Sequence, residues 1–234
     1  MDRLAELRRE VARERRVAAW RQRLRGLLPE ARVGLVLAPV AIVLPVVVLL
    51  RGATFLYLRL GWPTWGAIAG AGGGALGLLT VYAALLSKRL TGKSRVRFVA
   101  TWIAAPLVIA YCAHALLFLS RVNAKTEDVR GYYRSLHPTL RLAASTFMIL
   151  DDRLVVTDIA RTPGDYTAMG LPVYDSSLHY RHADGYVHAV DLRTIGRGAV
   201  RNWLTEQYFR ALGFRTLRHV GTADHLHVSL PATR

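Results

Sequence analysis

Eighteen consecutive residues without a charge, Val33 to Leu50, constrain this chain more than any other stretch. A run of that length can cross the hydrocarbon of a bilayer as a helix. Two further apolar runs follow, Thr64 to Leu86 and Phe98 to Leu119. In lipid the backbone must satisfy its own polar groups, so helices are expected for all three. Pro39, Pro45 and Pro106 fall inside the first and third runs, where neighbouring helices can re-satisfy the freed carbonyls. The second run carries Gly66, Gly70, Gly73, Gly74 and Gly77, a small-residue spacing that lets helices approach closely and offers a route to a homo-oligomer. It lacks the Lys-Ser/Thr ending of a phosphate-binding loop. Arg51 follows the first run without a small-residue cleavage site, which argues against a cleaved signal peptide.

The formal charge of +16 raises nucleic acid as a partner. Ten arginines, however, lie in residues 1–32, directly before the first apolar run. That placement fits membrane topology and anionic lipid, and nucleic acid is not expected. Residues 2–28 interleave Leu4, Leu7, Val11, Trp20, Leu24, Leu27 and Leu28 with arginines and stop at Pro29. They read as a basic amphipathic helix, either lying on membrane lipids or serving only as a topology signal. Arg51 and Arg59 mark a first short loop, residues 51–63, with Tyr57, Trp62 and Trp65 at interface depth. Lys88, Arg89, Lys93, Arg95 and Arg97 crowd a second. Basic segments face the cytoplasm, so three spans (about 33–50, 64–86 and 98–119) place residues 121–234 outside the plasma membrane. The single cysteine, Cys112, lies within an apolar run, which leaves no disulfide framework and no thiolate metal site.

The outer segment reads as α+β with a small antiparallel sheet. A charged helix is expected from Arg121 towards Pro138, and an alternating strand over L-V-V-T-D-I-A. Pro163, Gly164, Gly170 and Pro172 mark a loop. Tyr186 to Leu192 alternates as a strand, Val200 to Leu212 is helical up to Gly213, and Phe214 to Val220 and His225 to Leu230 are further strands.

Five of the eight histidines lie in two stretches, S-L-H-Y-R-H-A-D-G-Y-V-H-A-V-D (Ser177 to Asp191) and D-H-L-H (Asp224 to His227). Two imidazoles and a carboxylate are a zinc set that leaves a fourth position open for water, the mark of a catalytic site. Residues two apart on a strand share a face, so His225 and His227 point the same way.

The pieces S-x-H, G, A-x-D and a distant H-x-H resemble the D-alanyl-D-alanine carboxypeptidase and hedgehog-type zinc peptidases, a group that cleaves bacterial cell-wall peptides and includes phage endolysins. The likeness covers about residues 150–230. It implies Zn2+ as cofactor, with His179, Asp191 and His227 as ligands and His225 positioning or activating the water. It also implies Arg161, in V-V-T-D-I-A-R-T, as the group that receives a carboxylate of a peptidoglycan peptide. The interval from His179 to Asp191 is longer than the family's, which implies an insertion or makes His182 the ligand. Thr222 stands where the family commonly has Glu, leaving Asp224 or His225 as the base, or no base in a domain that only binds. His188 falls on the strand face opposite Asp191, and His219 is expected at the surface. The implied activity is a membrane-anchored DD- or LD-carboxypeptidase or endopeptidase. A catalytically inactive peptidoglycan- or partner-binding protein is the alternative. A remote one is a two-histidine phosphoesterase, from His137-Pro-Thr139 and His227-Val-Ser229.

Overall fold

The computed structural model describes residues 40–170, 172–221 and 224–231. The helix expected over 2–28, the start of the first apolar run and Thr222 lie outside them. Three helices are long and apolar enough to cross a membrane: α1 (Val40–Leu60), α2 (Thr64–Thr91) and α3 (Val96–Leu117).

The expected loop after Leu50 is not formed. α1 continues through Arg51 and Arg59, because no proline occurs between Pro45 and Pro63 and the single Gly52 does not interrupt the helix before Gly61-Trp62-Pro63. Gly61 turns the chain at a φ of 66°, a backbone conformation glycine adopts without steric cost. Arg51 is used rather than looped out: it and the Thr54 hydroxyl donate to the carbonyl of Leu212, at 3.5 and 2.5 Å. α2 lies against α1 through its glycines. A Cβ on Gly70 would meet Trp62 and Leu56 at 3.0 and 3.1 Å, and one on Gly74 would meet Val48 at 3.3 Å. Gly73 and Gly77 face open space. α3 widens into a π-helical turn at Ala100–Ala104, just before Pro106, which has no N–H for the carbonyl one turn back.

Beyond α3 the chain forms short turns and a five-residue helix, Glu127–Gly131, rather than one charged helix. Pro138 starts a helix instead of ending one. In α4 (Pro138–Leu150) it occupies the first turn, where a missing N–H costs nothing, and His137 caps the end by accepting the Thr139 N–H. The expected loop at 162–175 holds a short helix, Pro163–Ala168, closed by a Thr162–Asp165 capping box. A last helix, α5 (Ala199–Leu212), ends at Gly213 with φ 97°.

Four strands, β1 (Val156–Asp158), β2 (Ala189–Arg193), β3 (Arg215–His219) and β4 (His225–Ser229), form an antiparallel sheet in the order β1-β2-β4-β3. Period-2 alternation sorts its side chains. Val190, Leu192, Leu226 and Val228 are buried on one face, in one core with Leu140, Phe147 and Phe209 of α4 and α5. Full burial of such side chains contributes about 1.5–3 kcal/mol each. The opposite face carries Asp191, His225 and His227.

The same core runs on into Leu49, Leu50, Ala53 and Tyr57 of α1 and Ala67, Ile68 and Ala71 of α2. Buried Arg141 of α4 donates to the carbonyl of Leu116 at 2.5 Å, and the Tyr133 hydroxyl to that of Ala115 at 2.7 Å, closing the end of α3. The sheet domain therefore rests on the α1–α2 turn and on the C-terminal end of α3. The basic α2–α3 connection lies at the other end of the bundle.

Candidate metal centre

β2 and β4 pair with Asp191 opposite His227, which brings a carboxylate and an imidazole together on the open face of the sheet. His179 arrives from the long loop before β2. Its backbone is held by the Arg161 N–H on its carbonyl at 3.1 Å, and its neighbour Leu178 accepts the N–H of His188 at 2.9 Å. The three side chains converge. His179 Nε2 lies 3.2 Å from His227 Nδ1 and 3.4 Å from Asp191 Oδ1, and His227 Nδ1 lies 2.9 Å from that same oxygen.

These separations test the fit to an ion. Zinc bonds of roughly 2.0–2.2 Å in tetrahedral directions put ligand atoms about 3.3–3.6 Å apart. The three edges need only a few tenths of an ångström of adjustment. Ring orientation agrees. His179 Nδ1 faces the carbonyl of Ile159 at 2.7 Å. A carbonyl only accepts, so Nδ1 carries the proton and Nε2 of the neutral ring presents a lone pair to the centre. Burial alone would raise the pKa of Asp191, but the adjoining imidazoles outweigh it and hold the carboxyl well below the usual carboxylate range. The set is two neutral nitrogens and one anionic oxygen, the donor chemistry of zinc and its neighbours.

Arg161 reaches the same carboxylate from behind, with Nη2 2.8 Å from Asp191 Oδ2 and Nε 2.5 Å from Asp158 Oδ2. Burial would lower its pKa, and the two carboxylates raise it instead. Those bonds use two of its five N–H donors, and the guanidinium also lines the cleft beside the Tyr166 ring. His225 lies 3.6 Å from Asp191 Oδ2 and stacks on His219, ring centroids 4.6 Å apart. The centre opens into a cleft of about 670 Å³ walled by Tyr166, Tyr174, Leu217 and His219.

Asp224 is turned out of this cleft. Arg218 holds it through two bonds of 2.7 and 2.9 Å, and Thr194 donates to it at 2.5 Å. It precedes β4 and points to the sheet's edge, so His225 alone of the two expected bases is beside the centre. His182 is also elsewhere, its ring 4.8 Å from that of His188. His137 is fully buried away from the cleft that His227 lines, so the two H-x-T/S strings do not share a site. Nothing in the sequence signalled that Asp158 grips Arg161. His219 is exposed, as expected, and comes beside His225 because β3 and β4 pair these two residues.

Comparison with known proteins returns no matching family model, no matching curated protein and no matching solved structure. The likeness to zinc peptidases therefore rests on the motif residues alone.

Proposed function

We propose that this chain is a membrane-anchored, zinc-dependent peptidase acting on peptidoglycan peptides outside the plasma membrane. The observation that carries the reading is the convergence of His179, Asp191 and His227 at the floor of an open cleft, with the His179 proton fixed away from the centre.

Held by His179, Asp191 and His227, a zinc ion would supply acidification of a water and polarisation of a scissile amide carbonyl. The chain's own groups supply the rest. His225 is within reach of the centre and exposed to the cleft, placed to accept a proton and return it to the leaving amine. Arg161 keeps its Asp191 contact and retains donors for a peptide carboxylate in a forked geometry. Tyr166 and Tyr174 provide walls for an extended peptide.

A lipid setting is supported by the bundle's surface. The apolar windows of the three long helices are only 33%, 22% and 11% buried within the protein. Phe55, Trp102, Ile103, Leu107 and Ile109 face outward, the kind of exposed apolar surface that a membrane covers.

The test is digestion of muropeptides ending in D-alanine by the full chain in detergent. Hydrolysis is expected to stop with a chelator and return with zinc. His225→Ala is expected to slow it by about 10²–10⁴-fold, the usual contribution of a general base or acid. A second reading has one observation in its favour. Asp191 is the sole carboxylate lining the cleft among the described residues, and Asp224 is bonded elsewhere. A zinc-loaded protein that retains muropeptides and leaves them intact would be a cell-wall binder.

A further inference from the structure

A second group of metal-ligating side chains lies where the sheet domain meets the α1–α2 turn. His188, fully buried in the middle of β2's approach, sets its Nδ1 3.0 Å from the carbonyl of Leu230. That nitrogen must carry the proton, so Nε2 of the neutral ring holds a lone pair. Yet Nε2 faces Asp184 Oδ2 at 2.9 Å. A lone pair against a carboxylate oxygen at that distance is repulsive unless a cation lies between them or the ring is charged.

His137 completes the group. It is fully buried, and its Nδ1 lies beside both the Thr139 N–H and the Thr139 hydroxyl. With an ion bound, Nδ1–H would donate to Thr139 Oγ1 at 2.7 Å in place of accepting the cap bond, freeing Nε2, which lies 4.0 Å from the same Asp184 oxygen and 3.0 Å from Thr64 Oγ1 of α2. The ligand atoms of His137, Asp184 and His188 all fall within 4.8 Å of one another. The ring of His182 packs against His188, and its Nε2 is buried without a hydrogen-bond partner. Native proteins rarely leave such an atom unsatisfied, and an ion is one of the few things that explain it. Tyr57 of α1 and Tyr186 wall the group, their rings 4.8 and 5.7 Å from His137.

The geometry points to a second divalent-cation site at His137, Asp184 and His188 that pins the sheet domain to the membrane-proximal turn, with His182, which must swing in from beside His188, as a fourth donor. Its surroundings are those of a structural centre. His137 and His188 are fully buried and Asp184 alone of the three reaches solvent, whereas the first centre lies on the wall of an open cleft. Nitrogen-rich donors favour zinc or a neighbouring transition ion over calcium or magnesium. Asp184, whose side chain is 33% exposed, is the point of access for the ion.

The experiment is metal analysis of the full chain in detergent after loading with zinc or cobalt, with Asp184→Asn and Asp191→Asn alongside. About two equivalents per chain are expected, and each variant is expected to lose one, since each removes an anionic ligand from a different centre. Zinc is also expected to raise Tm less in Asp184→Asn than in the parent. Asp184 is on a surface turn, so this variant should fold; His182→Gln, which removes only the fourth donor, should weaken binding of one equivalent and serves if it does not. One equivalent lost with Asp191→Asn and untouched by Asp184→Asn and His182→Gln would overturn the second site and leave the first standing. One equivalent lost with Asp184→Asn alone would uphold it and remove the first. No bound metal, or two equivalents kept by Asp184→Asn, would also overturn it.

Discussion

The Arg218–Asp224 pair shows how a single side chain at the rim of the site ties stability to pH. Two bonds from Arg218, then one from Thr194, bring the Asp224 carboxyl down to about 2. In an unfolded chain it would titrate near about 3.9. The folded state therefore prefers the ionised form. The contribution is fully present above about pH 4 and disappears as pH falls from there through about 2. Asp224→Asn should lower Tm at neutral pH, and the gap to the parent should close over that acid interval. Thermal unfolding of both proteins across pH 2–7 measures it, and a gap of constant size would contradict the assignment. At the centre itself, His227→Ala is expected to lower zinc affinity by about 10-fold or more, since second-sphere changes alone cost 10–100-fold; equilibrium dialysis reads it. Arg161→Gln should act more mildly on metal affinity and more strongly on KM for carboxylate-bearing peptides, because it orients Asp191 from behind while facing the cleft.

The helices and strands were legible to different depths, for physical reasons. Strand period is local, so the common face of His225 and His227 and the opposite orientation of His188 could be read directly. Helix ends were harder. Arg51 and Arg59 looked like loop charges, yet their long stems let a helix continue, and Arg51 finds the Leu212 carbonyl only in the folded chain. Pro138 carries the same residue type whether it stops a helix or starts one, and the capping role of His137 decides which. The second histidine group was out of reach. It joins Thr64, His137 and His188 across more than a hundred residues through a turn at Gly185, φ 83°, and no spacing rule encodes that. The helix contact makes a prediction. Gly70 and Gly74 face α1 and Gly77 faces outward. Gly70→Ile should destabilise the bundle by about 1–3 kcal/mol, the usual cost of overpacking. Gly77→Ile should be close to neutral. Unfolding in detergent, by denaturant or heat, compares them. If Gly77→Ile instead dissociates an oligomer on sizing, the open glycine face is a contact between copies.

At the scale of the whole molecule, the sheet domain and the basic α2–α3 connection occupy opposite ends of the bundle. Arg141 and Tyr133 close the end of α3 while Thr64 and Tyr57 meet His137, so two independent junctions hold the domain at one end. Lys88, Arg89, Lys93, Arg95 and Arg97 crowd the other. A lipid bilayer around the outward-facing apolar girdle would then separate the two ends. Basic connections are retained on the cytoplasmic side, so the proposed function expects the cleft to open to the exterior. This orientation can be read in intact cells. With Cys112 replaced by Ser, a cysteine introduced at exposed Ser176 beside the cleft should react with a membrane-impermeant maleimide without lysis. One at exposed Lys93 should react only after permeabilisation. The reverse pattern would put the cleft in the cytosol, away from any wall peptide, and would leave the metal centre standing with a different substrate.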